Sequence, residues 1–90
     1  MVSAHILVSG RVQRVGYRAF AVRIALKHGV VGGVRNLDDG RVELEVEGTR
    51  TAIHALLQDL RDGPPAAHVM SVETHWGEAT GRFSTFEIWY

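Results

Sequence analysis

Two glycines bracket the segment Gly10-Arg11-Val12-Gln13-Arg14-Val15-Gly16, which runs directly into Tyr17-Arg18. A loop that wraps over the start of a helix aims several backbone N–H groups at one spot, and the helix dipole adds roughly half a positive charge there. The chemistry on offer is anion binding. Arg18 would fall in the first helical turn, where the dipole favours acids over bases. The conflict admits two readings: a solvated arginine beside a tight loop, or a guanidinium whose fixed fork of donors grips two phosphate oxygens. A nucleotide P-loop needs Lys and then Ser or Thr directly after its second glycine, whereas Gly16 is followed by Tyr17 and Arg18. ATP and GTP hydrolysis are set aside on that ground.

Asn36 stands shortly before Asp38-Asp39-Gly40. Asn and Asp in such places hydrogen-bond the local backbone and tolerate left-handed conformations, so turn chemistry is the plain reading. The functional reading is a neutral amide that orients a polar group, and it requires strand pairing that brings Asn36 to the strand-one loop. The other candidates are weaker. His5, His28, His54, His68 and His75 include no i, i+4 pair and no metal-ligand spacing, so no metal site is expected. Asp38 and Asp39 are adjacent in a turn, where side chains diverge, and read as hairpin chemistry. Trp76, Trp89 and Tyr90 read as strand-end aromatics that close a core or an edge, and Glu43, Glu45 and Glu47 as a solvated strand face.

The elements that must position these residues follow from periodicity. Ala4, Ile6 and Val8 alternate with His5, Leu7 and Ser9 up to Gly10, which predicts a central first strand. Tyr17, Phe20, Ala21, Ile24 and His28 recur at helical steps, with Gly29 as the left-handed cap. A strand from Val30 to about Asn36 and an alternating strand through Val42, Leu44 and Val46 flank the Asp38-Gly40 turn. Thr49 or Thr51 caps a second helix with Ile53, Leu56, Leu57 and Leu60 on its buried stripe, ended by Gly63-Pro64-Pro65. Strands are expected at Val69 to about Trp76 and at Phe83 to Tyr90, separated by a Gly77 to Gly81 turn. The order predicts an α+β, ferredoxin-like split βαβ fold: βαββαβ with a short closing strand, two helices on one face of a largely antiparallel sheet.

Ninety residues fit one domain, 1–90. Ten Lys and Arg against ten Asp and Glu give a formal charge of zero, so no long-range field recruits a polyanion, and neither nucleic acid nor membrane is expected as a partner. No cysteine is present, which excludes disulfide staples and thiolate chemistry. Arg11, Arg18, Arg23 and Lys27 interrupt the apolar stretches well before the roughly 20 residues a membrane span needs. A soluble cytoplasmic monomer is the expectation.

Taken together, Gly10 to Arg18 resembles the acylphosphatase signature, Gly-x-Val-Gln-Gly-Val-x-Phe/Tyr-Arg. Gly32-Gly33-Val34-Arg35-Asn36, followed by Asp39-Gly40-x-Val42-Glu43, resembles that family's second motif, and Phe86-Glu87-Ile88 its closing strand. The resemblance spans nearly the whole chain. It implies a ferredoxin-like fold and hydrolysis of the carboxyl-phosphate anhydride of acyl phosphates to a carboxylate and inorganic phosphate, without metal or cofactor. It further implies that Arg18 binds the phosphate, that Asn36 positions the attacking water, and that the backbone of Gln13, Arg14, Val15, Gly16 and Tyr17 cradles the anion.

Two residues depart from the pattern. Arg14 replaces the usual glycine: either the position demands positive φ and carries strain, or it accepts a side chain that projects outward and adds positive potential, and the second is preferred. Gly33 replaces the usual aromatic residue, which is expected to loosen the strand locally. The competing functions are an anion-binding or regulatory module without catalysis, of the kind found inside larger proteins that handle carbamoyl phosphate, and an RNA-binding ferredoxin-like domain. Start at Met1 and closure at Tyr90 favour a free-standing enzyme, and no basic aromatic sheet face supports RNA.

Overall fold

The computed structural model describes residues 1–90. Chain order is β1 (Val2–Arg11), α1 (Tyr17–His28), β2 (Val31–Asn36), β3 (Val42–Gly48), α2 (Arg50–Asp62), β4 (His68–Glu78) and β5 (Phe86–Ile88). The five strands form one sheet in the order β4-β1-β3-β2-β5, antiparallel except for the β2–β5 pair. Both helices lie on one face, as expected. No helix is long and apolar enough to cross a membrane.

Register explains which side chains reach the core. Ala4, Ile6 and Val8 of β1 face Val46, Leu44 and Val42 of β3, and all six are buried. Ile53, Leu56, Leu57 and Leu60 of α2 and Tyr17, Ala21, Ile24 and Ala25 of α1 close on that row. Helical period on one side meets the period of two on the other, and the apolar stripe of each element is buried against its neighbour. Thr49 is the cap of α2: its Oγ1 accepts from the Ala52 N–H at 3.1 Å. Gly29 closes α1 in the left-handed conformation.

Three expectations change. The closing strand is only Phe86–Ile88, not Phe83 to Tyr90, because it pairs in parallel with Gly32 to Val34 of β2 alone. Glu47 is no part of a solvated face. It is 3% exposed and accepts hydrogen bonds from Thr80 Oγ1 at 2.7 Å, Thr80 N–H at 3.0 Å and Gly81 N–H at 2.9 Å, pinning the β4–β5 connection to the sheet. Glu43 and Glu45 are half-buried and ion-paired, with Arg35 bridging both and Arg82 on Glu45.

Gly33 does not leave the strand loose. The Trp89 indole occupies the space where a Gly33 side chain would stand. The Trp89 backbone N–H donates to the Val34 carbonyl at 2.7 Å, the Arg35 guanidinium lies 4.9 Å from the indole centroid, and Phe83 packs beside the indole. The aromatic packing that glycine does not provide at position 33 is thus supplied from the other end of the chain.

Candidate active site

The chain leaves the sheet at Arg11 and enters α1 at Tyr17 through two left-handed residues. Gly16, with φ 78° and ψ 18°, is the N-cap of α1, a conformation glycine reaches without a Cβ penalty. Arg14, with φ 62°, is the one non-glycine residue with positive φ. The preferred expectation for this position is therefore corrected: it does demand the left-handed conformation, which costs a side-chain-bearing residue roughly 1–2 kcal/mol. The outward placement holds, since Arg14 is exposed.

Gly16 supplies no capping side chain, and the first turn of α1 has no acidic residue. The N–H groups that open a helix lack intrahelical partners, so here they and the positive end of the dipole face the loop's concavity. Tyr17 is buried, and its hydroxyl donates to the Leu60 carbonyl at 2.7 Å, locking the start of α1 to the last turn of α2. Burial pushes its phenol far above the ordinary value, which keeps it protonated. Arg18 is half-buried, takes part in none of the molecule's ion pairs, and holds its guanidinium 5.6 Å from the Tyr90 ring centroid.

Strand β2 delivers Asn36 to the same place. Asn36 pairs with Val42 of β3 and shares the helix-facing row with Gly32 and Val34. Its Oδ1 is buried and has no hydrogen-bond partner. A buried acceptor left unpaired is costly and marks a position shaped for something other than stability. Arg14, Gly16, Tyr17, Arg18 and Asn36 line one cavity of about 190 Å³, with Val12, Ala19 and Ile88 as its apolar wall. The plain reading of Asn36 as turn chemistry gives way to its place in this cavity.

Two of the expected loop residues are not in the lining. Gln13 turns its side chain toward the β2–β3 turn, donating from Nε2 to the Leu37 carbonyl at 2.7 Å and the Arg41 carbonyl at 2.9 Å. Val15 packs against the core. Sequence reasoning missed Ile88 and Tyr90: alternation put both on one strand face, but nothing in it named α1 as their neighbour.

A larger cavity, about 260 Å³, opens on the helix-free face beside Ser3, His5, Glu45, His75 and Arg82. Its titratable groups already have partners: Arg82 holds Glu45 at 2.7 Å, and His5 and His75 meet Glu43 and Glu73, outside the lining, each at 2.7 Å. The free guanidinium, the uncapped helix start and the unpaired amide oxygen all belong to the smaller cavity. No group of three or more His, Asp or Glu side chains gathers in a metal-holding arrangement.

Comparison with known proteins shows the family and the fold. The family model described as Acylphosphatase matches residues 4–88. An acylphosphatase of Anaeromyxobacter dehalogenans is 52% identical over 87 residues, covering 97% of this chain and 94% of that protein. The crystal structure of an acylphosphatase from Bacillus subtilis superposes with a TM-score of 0.97 at 34% identity over 100% of both chains. HypF of T. kodakarensis contains the same fold, with a TM-score of 0.86 and 37% identity over 100% of this chain but 12% of that one. The chain belongs to the acylphosphatase family, hydrolases of the carboxyl-phosphate anhydride of acyl phosphates.

Proposed function

We propose that this chain hydrolyses acyl phosphates without a metal or cofactor, with the phosphate held by the Gly10–Arg18 loop and the attacking water oriented by Asn36. The observation that carries the reading is the shared cavity, into which one strand brings an unpaired amide oxygen and one helix start brings a free arginine. Backbone N–H groups of Gln13, Arg14, Val15, Gly16 and Tyr17, with the Arg18 fork, take the non-bridging phosphate oxygens. The guanidinium and the helix dipole stabilise the charge those oxygens carry in the transition state.

Asn36 is neutral and accepts no proton at neutral pH, so its work is orientation: the carbonyl oxygen accepts a hydrogen bond from water and points the water's lone pair at phosphorus. A loose phosphoryl-transfer transition state asks little of the nucleophile, so a strong base is dispensable. The water oxygen forms the new P–O bond, the bond to the acyl oxygen breaks, and the carboxylate leaves with that electron pair. The water proton passes to a phosphate oxygen, and the products are a carboxylate and inorganic phosphate. Tyr17, held protonated and committed to Leu60, supplies its backbone and no proton.

The test is hydrolysis of benzoyl phosphate, followed by absorbance with EDTA present. Arg18→Ala and Asn36→Ala should each lose about a hundredfold or more in kcat/KM with folding intact by circular dichroism. A wild type that is inert while inorganic phosphate still raises its Tm would leave the loop as an anion site without catalysis. Full activity in Asn36→Ala would remove the water-orienting role.

A further inference from the structure

Residues 12–15 form none of the backbone–backbone hydrogen bonds found in the turns and loops of this molecule. The loop that would hold the phosphate thus has no main-chain tie to the sheet, yet it must sit at a fixed place relative to Asn36. Val12 and Val15 anchor it by apolar packing, and its hydrogen bonds to the β2–β3 turn come from one side chain. Gln13 Nε2 donates to the carbonyls of Leu37 and Arg41, and a side-chain amide has two N–H bonds, so both are engaged. Those two carbonyls close the β2–β3 turn: Leu37 N–H bonds the Arg41 carbonyl at 2.9 Å, and Gly40 N–H bonds the Leu37 carbonyl at 3.2 Å. Leu37 directly follows Asn36. The amide is part-buried, where hydrogen bonds compete less with water than on the surface.

We propose that the Gln13 side chain is a positioning residue, whose twin hydrogen bonds to Leu37 and Arg41 fix the separation between the Arg18 loop and Asn36. The inference rests on the reading of Asn36 as the water-orienting group, and it assigns Gln13 a role its backbone does not have. Arg18 and the helix start are held by α1, through Tyr17 on Leu60, and do not depend on this clamp. Loss of the clamp therefore leaves Arg18 and the helix-start N–H groups in place, weakens anion binding only through the N–H groups of Gln13, Arg14 and Val15, and misplaces the phosphate relative to the water that Asn36 orients. A displacement of about 1 Å in such an arrangement can lower a rate by as much as 100-fold.

The experiment is a double-mutant cycle on benzoyl phosphate hydrolysis with Gln13→Met, which keeps the length of the side chain and removes its donors. Gln13→Asn serves as the second variant where Gln13→Met fails to fold. In the wild-type background kcat should fall about 10- to 100-fold, with the inhibition constant of inorganic phosphate raised by a clearly smaller factor, since Arg18 and the helix start still hold the anion. In the Asn36→Ala background the same substitution should change kcat by less than about twofold, because the group it positions is gone. Equal losses in both backgrounds, or phosphate affinity falling in step with kcat, would overturn the proposal in favour of a general loosening of the loop. Should the wild type prove inert, or Asn36→Ala fully active, the underlying reading fails, and the clamp is then decided by NMR. Gln13→Met must shift the Asn36 side-chain amide resonances while those of α1 stay in place; unmoved Asn36 signals would sink it.

Discussion

At position 14 a single dihedral angle sets a long cationic side chain against the conformation its neighbours impose. The φ of 62° lies in the left-handed region, where a Cβ crowds the following carbonyl. Arg14→Gly relieves that crowding but adds freedom to the unfolded chain, so the net gain should be about 1 kcal/mol. For a domain of this size that corresponds to a rise in Tm of about 4–8 °C, measurable by thermal unfolding. The same variant removes an exposed positive charge from the rim of the cavity, so phosphate should bind more weakly and with a shallower dependence on salt. An unchanged Tm would show that the loop accommodates Arg14 without strain. Arg18 and Asn36 were picked out in the sequence by the family resemblance of their motifs, since residue type alone left Arg18 with two readings and Asn36 as turn chemistry; the structure places both in one cavity. The angle at Arg14 stayed one of two alternatives, since residue type speaks to φ chiefly in proline, whose ring fixes it, and in glycine, which reaches positive φ freely.

The elements show where alternation informs and where it fails. Period-two patterning placed β3 and its buried apolar row, though not the burial of Glu47 on the opposite face, and the helical stripe of α2 was readable to the residue. The end of the chain was not readable. An aromatic run from Phe83 to Tyr90 fits a full strand, but only Phe86–Ile88 pairs, and the Trp89 side chain, its backbone N–H still on the Val34 carbonyl, fills the space above Gly33. That exchange across distant parts of the sequence has no local signature. It predicts coupling. Trp89→Ala should cost about 2 kcal/mol, less than the roughly 3–5 kcal/mol of a fully buried aromatic because the indole is half-exposed. Gly33→Phe alone should also destabilise, since its side chain would collide with the indole. The double variant, which restores one aromatic ring to that space, should unfold in urea at a higher concentration than the sum of the single effects requires. Strict additivity would mean that the two positions do not share the space.

On the scale of the whole molecule, zero formal charge spares the fold a general self-repulsion near neutrality, so its pH limits are set by a few specific groups. On the acid side, Glu47 is held below the usual carboxylate range, first by the Thr80 hydroxyl and then by the Thr80 and Gly81 N–H groups. Asp39, through the Arg41 backbone N–H, and Glu73, through His75, are lowered as well. A carboxyl lowered in the native state contributes stability that is complete above its unfolded pKa and disappears as pH falls through its folded one, so unfolding should set in below about pH 4. Glu47→Gln should lower Tm at pH 7 and flatten this acid limb, since its amide does not titrate. On the alkaline side the sign reverses. Burial raises the Tyr17 phenol, so the native state keeps a proton that the unfolded chain releases from about pH 10 upward, and stability falls from there. Tyr17→Phe should lose about 1 kcal/mol at neutral pH with its bond to Leu60. Above about pH 10 the difference should shrink, because phenylalanine has no proton to hold, and urea midpoints of the two proteins should converge as pH rises. Parallel midpoints from about pH 8 to 11 would mean that Tyr17 titrates alike in both states, and that the lock between α1 and α2 opens before the rest of the fold.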